Sequence, residues 1–458
     1  MSQPLFQEFE DVTAKQWKQK IQYDLKGADY NEELIYHSRD GINVKPFYTA
    51  EDVSEPAKVL SPKNWEIVEK IFVASVEISS RRALEVLKKG AESLWFIIPS
   101  EETSVEKLLE NLPLEKISVH LEFQFLSEKY LKNLAVFFQQ KNVEVFLHLD
   151  IIGNLARSGN WYTDLRNDHE ILEKVLQQKQ FLSAVSVDTT LYQNAGATIP
   201  QQLAYALAHA NEYLNHYRYK TELKDLNIQF LTTTGPNYFF EIAKLRALRI
   251  LYASLASEYD AKEDCFILSQ PTKRDKTLYD YNVNLLRTTT QSMSAILGGA
   301  NAVYNSPYNA IYHKNNEFGD RIARNQLLVL KNESYLDKVS NAAEGSYYIE
   351  SLTTQFAEKA LEIFKDIEKA GGFLSQLKEG VIQRKISESA QKEQEEFDKG
   401  ELVLIGTNKY ANPDDRMKGE LELFPFLKKN PRKTLIQPIL ERRLAEKYEQ
   451  GRLEKEEE

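Results

Sequence analysis

The sequence predicts an α/β fold, an eight-stranded parallel (TIM-type) barrel with an N-terminal helical arm and a C-terminal helical extension. Two observations carry that expectation. Between residues 71 and 334, short β-rich apolar runs alternate eight times with segments of helical apolar spacing. A chain of 458 residues with 42% hydrophobic and 11% aromatic side chains also holds enough apolar material for one barrel with additions. Residues 1–60 are assigned to the arm, 61–350 to the barrel, and 351–458 to the extension with a truncated linker. Barrels of this kind keep their chemistry at the carboxyl ends of the strands.

The arm opens with a well-punctuated helix. Thr13-Ala14-Lys15-Gln16 has capping-box spacing, Trp17, Ile21 and Leu25 recur at i, i+4 and i+8, and Gly27 supplies a stop. Residues 24–48 then read as an extended arm anchored by Tyr30, Tyr36, Phe47 and Tyr48. Such an arm has no core of its own and lies on the barrel or on a partner subunit. Four aromatics are a large apolar load and favour the partner, with Trp17, Leu25, Tyr30, Phe47 and Tyr48 as the expected contacts. The eight strands are placed at 71–75, 93–99, 116–123, 143–150, 183–188, 227–234, 265–270 and 301–305. Beyond them come a helix at about 353–370 ended by Gly371-Gly372, a second at 373–378, and a charged helical run over 381–400. Residues 403–410 read as a last strand-like piece, and 442–458 as a charged helical end that frays.

Charge and cysteine content narrow the function classes. Net charge is −10, which argues against a nucleic-acid partner and against an anionic membrane surface. The single cysteine, Cys265, excludes an internal disulfide and a cysteine metal cluster, and fits a reducing cytoplasm. Residues 1–11 lack the basic flank and apolar core of a signal peptide, and no run approaches the ~20 apolar residues of a membrane span.

Candidate chemistry is sparse. Asp150 and Asp188 close the fourth and fifth strands, where barrel enzymes hold acids and bases. The alternative for each is a loop cap or an ion pair. His120 and Glu122 share one face of the third strand as a ligand pair would, yet no third ligand has motif spacing, so a hydrogen-bonded interior pair is the better reading. Gly298-Gly299 matches no phosphate loop and reads as a tight turn, and Cys265 reads as core. No dinucleotide fingerprint, serine elbow or zinc helix motif is present.

Several segments resemble the methylmalonyl-CoA mutase family, which uses adenosylcobalamin. Residues 239–249, F-F-E-I-A-K-L-R-A-L-R, are similar to that family's F-F-x-E-I-A-K-L-R-A-x-R helix. Ala195-Gly196-Ala197, Asp280-Tyr281-Asn282 with Arg287-Thr288, and Arg321-Ile322-Ala323-Arg324-Asn325-Gln326 running on to Gly345-Ser346-Tyr347-Tyr348 match in order and spacing, as does Gly406-Thr407-Asn408-Lys409-Tyr410. Glu241, Lys244 and Arg246 of the matching helix serve either a binding surface or barrel stability.

The departures from that pattern matter as much. Catalytic chains of the family carry a Tyr-His pair shortly before Gln-Glu-Ala-Gly-Ala at the end of the fifth strand, with the histidine between substrate and cofactor. Here Thr190 and Leu191 stand at those positions, and leucine neither donates nor accepts a hydrogen bond. The family's N-terminal Tyr/Gly/Arg-rich substrate motif is absent after Lys45-Pro46-Phe47-Tyr48. Strand seven ends Ser269-Gln270-Pro271-Thr272 instead of an Arg-Thr-Ser element for coenzyme A, and no Asp-x-His-x-x-Gly motif occurs, His37 included. The resemblance therefore implies the small, non-catalytic subunit of a heterodimer. No cofactor or metal would be bound by this chain, and adenosylcobalamin would sit in a large-subunit partner. It leaves three alternatives: the substrate-barrel chain of a split mutase working with a separate cobalamin-domain chain, a lyase using Asp150 and Asp188, and a free-standing interaction protein.

Overall fold

The computed structural model describes residues 8–10, 12–53, 59–139, 141–220, 222–427 and 431–456. Eight parallel strands close a barrel: β1 Glu66–Phe72, β2 Ser93–Ile98, β3 Ser118–Phe123, β4 Glu144–Leu149, β5 Ser183–Asp188, β6 Ile228–Thr234, β7 Phe266–Pro271 and β8 Ala302–Tyr304. They pair in sequence order, and β8 closes on β1 through Ala302–Glu66, Val303–Ile67 and Tyr304–Val68. The predicted barrel is therefore borne out. Only its first strand is displaced, because Glu66, Glu69 and Lys70 interrupt the apolar run that marks the others. Those charges are paired in place: Glu69 meets Arg324 at 3.0 Å, and Lys70 meets Glu122 at 3.3 Å.

Side chains alternate across each strand, so the outward-facing set packs under the helices and the inward-facing set fills the axis. The outward set joins one large core that also takes in the helices around the barrel. The axis is filled by Val68, Trp95, Leu231, Leu268 and Ala302, with Phe266 and Tyr304 packed against them. His120 stacks on Phe146 at 4.6 Å, and His148 lies 4.9 Å from Trp95.

The arm begins with α1, Ala14–Asp24, capped as the sequence predicts: Gln16 N–H donates to Thr13 Oγ1 and Thr13 N–H donates to Gln16 Oε1. No residue of α1 is buried, and Trp17 is 49% exposed against the edge of Phe47. Thr13→Ala should accordingly cost about 1 kcal/mol and act only locally. Amide exchange across residues 14–24 should quicken while the barrel's Tm stays fixed.

Residues 24–48 are not simply extended. They hold a short helix, Tyr30–Leu34, and a hairpin of Tyr36–His37 with Asn43–Val44. This part of the arm lies on the barrel's own helices. Ile42 is fully buried, Asp40 Oδ1 accepts from Ile199 N–H at 2.7 Å, and the Tyr48 ring lies 5.1 Å from Tyr348.

Seven further helices set the site: α2 Ile151–Ser158, α3 Thr190–Asn194, α4 Ile199–Tyr217, α5 Tyr238–Ser257, α6 Tyr347–Lys369, α7 Val381–Asp398 and α8 Glu446–Lys455. Helix α5 packs between α4 and α6, so nearly all of its faces are covered. Residues 403–410 form no strand, only an isolated bridge between Ile405 and Lys409. The end of the chain does not fray through its described part, because Glu449 of α8 is fully buried and accepts from Leu278 N–H at 2.6 Å.

Candidate functional site

The carboxyl ends of β4 and β5 bring the two candidate aspartates together, but not as a catalytic pair. Asp150 caps α2 by accepting from Gly153 N–H at 2.7 Å. A side chain at position 153 would collide with that carboxylate, so glycine is required there. Asp150 Oδ1 also accepts from Tyr213 O–H at 2.7 Å and faces His209 Nε2 at 2.9 Å. Its Oδ2 accepts from Asp188 N–H at 2.8 Å. The other imidazole nitrogen of His209 lies 3.0 Å from the Tyr192 hydroxyl. Burial works to raise the Asp150 carboxyl, but His209 and the backbone donors outweigh it and hold it below the usual carboxylate range.

Asp188 turns outward. Its Oδ2 pairs with Arg157 at 2.5 Å, and its Oδ1 accepts from Thr190 N–H and Oγ1–H. Asp188 thus holds the first residue of the short helix α3, and Thr190 is a structural donor to it. Leu191 is 1% exposed and points into the main core. Nothing at this strand end presents a proton donor or acceptor toward the barrel mouth from position 191.

The interior offers no ligand set. His120 and Glu122 do share a face, yet each takes another partner: His120 Nδ1 lies 3.0 Å from His148 Nε2, and Glu122 pairs with Lys70. Burial, with the Lys70 ammonium, pushes the His148 imidazole down to about 3. Cys265 is buried and its thiol is pushed up to about 11, so it is a core residue. Among the described residues no cluster of His, Cys, Asp and Glu is arranged to hold a metal ion. No helix among them is long and apolar enough to cross a membrane.

The charged face of α5 is internal. Lys244 Nζ pairs with Glu241 at 2.5 Å and donates to Thr233 O, Gln193 Oε1 and Gln202 Oε1, tying α5 to β6, α3 and α4. Arg246 pairs with Glu350 of α6 at 2.5 Å. All four ionic side chains are buried, so this charged face holds the barrel together and is no binding surface.

Sequence reasoning missed the feature that dominates the mouth, a strap formed by residues 431–456. Leu435 N–H and Ile436 N–H donate to Gly159 O beyond α2, and Arg442 N–H donates to Asn194 O at the end of α3. Leu444 N–H donates to Arg274 O beyond β7. Gly159 adopts φ +79°, and a side chain there would strike Ile436 O. Between the strap, Phe424–Leu427 and the loops after β7 and β8 lies a cavity of about 280 Å³. The ionic side chains of its walls are largely matched: Arg274 pairs with Glu393, Lys276 with Asp275, and Arg443 with Glu449. The strap's backbone bonds and the Arg274–Glu393 pair join residues far apart in sequence, and no local pattern marks them.

Comparison with known proteins agrees with the resemblance in the motifs. A family model described as methylmalonyl-CoA mutase matches residues 100–451. The methylmalonyl-CoA mutase small subunit of Porphyromonas gingivalis is 31% identical over 445 residues, covering 89% of this chain and 71% of that protein. The small subunit from Streptomyces virginiae is 29% identical, covering 83% and 67%. The methylmalonyl-CoA mutase of Rhizobium meliloti is 27% identical, covering 87% of this chain and 64% of that one. The chain thus spans about two thirds of the length of these relatives.

Proposed function

The chain belongs to the methylmalonyl-CoA mutase family of isomerases, and from that premise we propose that it is a small, non-catalytic subunit. In this reading it pairs with a large subunit whose barrel interconverts methylmalonyl-CoA and succinyl-CoA by adenosylcobalamin chemistry. The observation that carries the reading is Leu191, buried in the core where the family's catalytic chains place a histidine. The filled axis supports it too, since Trp95, His120, Phe146, His148 and Phe266 pack ring against ring there.

The residues at the mouth do not fit adenosylcobalamin. All seven histidines lie in the described residues, and none is presented there. His120, His148 and His209 are buried in the networks above. His169 stacks on His216 at 3.8 Å, His37 bonds Asn43, and His313 pairs with Glu422.

What the chain contributes is surface and stability. Trp17, Leu25, Phe47 and Tyr48, on and beside α1, none of whose residues is buried, are the proposed contacts with the large subunit. Tyr30, expected as a further contact, is buried within the chain itself. Size-exclusion chromatography with a mutase assay tests this. The chain alone should show no turnover and no cobalamin uptake. Mixed with its matching large subunit it should elute as an active heterodimer, and Trp17→Ala should weaken that dimer about tenfold or more. Turnover by the chain alone would overturn the reading.

A further inference from the structure

The strap does more than cover the mouth. Its Glu441 carboxylate meets two donors from separate helices, and a third cation lines the same cavity. Asn194 Nδ2–H donates to Glu441 Oε1 at 3.0 Å, and Arg157 Nη1 lies 3.4 Å from the same oxygen. Lys273 makes no ion pair within 4 Å among the described residues, but it lines the same cavity as Asn194 and Glu441, and its charge acts on Glu441. Burial works to raise the Glu441 carboxyl. Lys273, Arg157 and Asn194 outweigh it and hold it below the usual range.

These donors are positioned independently of Glu441. Asp188 holds Arg157 through its other terminal nitrogen, leaving Nη1 free to turn to the mouth. Asn194 is fixed through Oδ1, which accepts from Thr272 Oγ1–H at 2.8 Å and from Lys273 N–H at 3.0 Å. That second bond also sets the backbone from which the Lys273 side chain departs. A guanidinium and an amide N–H on one carboxylate, with an ammonium on the wall of the same cavity, make up a donor set of the kind that binds oxyanions. Asp188 and Glu122 are the other opposing charges near Arg157; Asp188 is already spent on Arg157 and Thr190, and Glu122 on Lys70.

We propose that Arg157, Asn194 and Lys273 form an oxyanion-binding cradle at the barrel mouth, held shut by the chain's own Glu441 as an internal pseudo-ligand. The ligand class is a small carboxylate or phosphate group. The cradle does not depend on the subunit reading, since it concerns this chain by itself.

The test is titration of the full chain with inorganic phosphate and, separately, with acetate, at constant ionic strength, by calorimetry. Glu441 is partly exposed at 28%, and the strap keeps its bonds to Asn194 O and Arg274 O without that side chain, so Glu441→Ala should fold. Glu441→Ala should bind at least one of the two anions about tenfold more tightly than the wild type. The double variant Glu441→Ala with Lys273→Ala should return to wild-type weakness. Phosphate selectivity would identify a phosphorylated ligand and acetate selectivity a carboxylate. Equal binding by wild type and Glu441→Ala would overturn the proposal. So would undiminished binding by the double variant, which would locate the anion elsewhere.

Discussion

Asp150→Ala is expected to destabilise the chain by about 3–5 kcal/mol, the usual result of removing one partner from a buried charged network. The carboxylate serves Gly153 N–H, Asp188 N–H, Tyr213 O–H and His209 at once. Alanine leaves each of these buried groups without its acceptor, at about 1–3 kcal/mol apiece. The losses do not sum, because groups sharing one partner relax together. The pH dependence has a definite sign. The folded carboxyl titrates below its unfolded value, so its contribution is fully present above that value and is lost as pH falls through the folded one. Chemical denaturation should therefore show a constant gap between wild type and variant from pH 7 down to about 5, narrowing below about pH 4. A gap that widens in acid would contradict this account. The same residue discriminates function, since a lyase acid would lose turnover in Asp150→Asn beyond what the folded fraction of the variant accounts for.

The barrel was legible because outward-facing residues of a parallel sheet are nearly all apolar, and eight such runs stand between helical segments. Where that signal fails, charge is the reason. Lys70 rests over the Trp95 ring at 3.5 Å and pairs with Glu122, so β1 carries polar residues into a buried place that periodicity reads as loop. The site was legible only in part. The loss at Leu191 stands in the sequence as a single residue against a known motif. The caps served by Asp150 and Asp188 were open alternatives that local spacing could not choose between. The strap was invisible, because its backbone bonds and its side chains Glu441, Arg443 and Glu449 meet partners far away in sequence; Glu441 reaches α2 and α3. The frayed end predicted for 442–458 failed for the same reason: charged residues read as solvated unless their buried partners are known, and Glu449 finds Arg443 at 2.7 Å.

Trp95→Ala is expected to cost about 3–5 kcal/mol and to open a void in the barrel axis. Trp95 is 1% exposed, packed among Lys70, His148 and Tyr304. Its indole N–H has no hydrogen-bond partner among the described residues, so what it contributes is volume and a π face, not a polar contact. Two consequences separate this from general damage. Trp95→Phe keeps most of the volume and gives up no hydrogen bond, so its cost should stay under about 1.5 kcal/mol. Free indole should return part of the lost stability to Trp95→Ala and none to the wild type, as a ligand that fits the void binds only the folded state. The reading of the axis as packing also constrains activity. If the axis serves stability alone, mutase activity of the assembled heterodimer should fall with Trp95→Ala only in proportion to the chain that is folded. A loss of kcat at full assembly and full folding would mean that a substrate or product passes through this barrel, and the non-catalytic assignment would have to be given up.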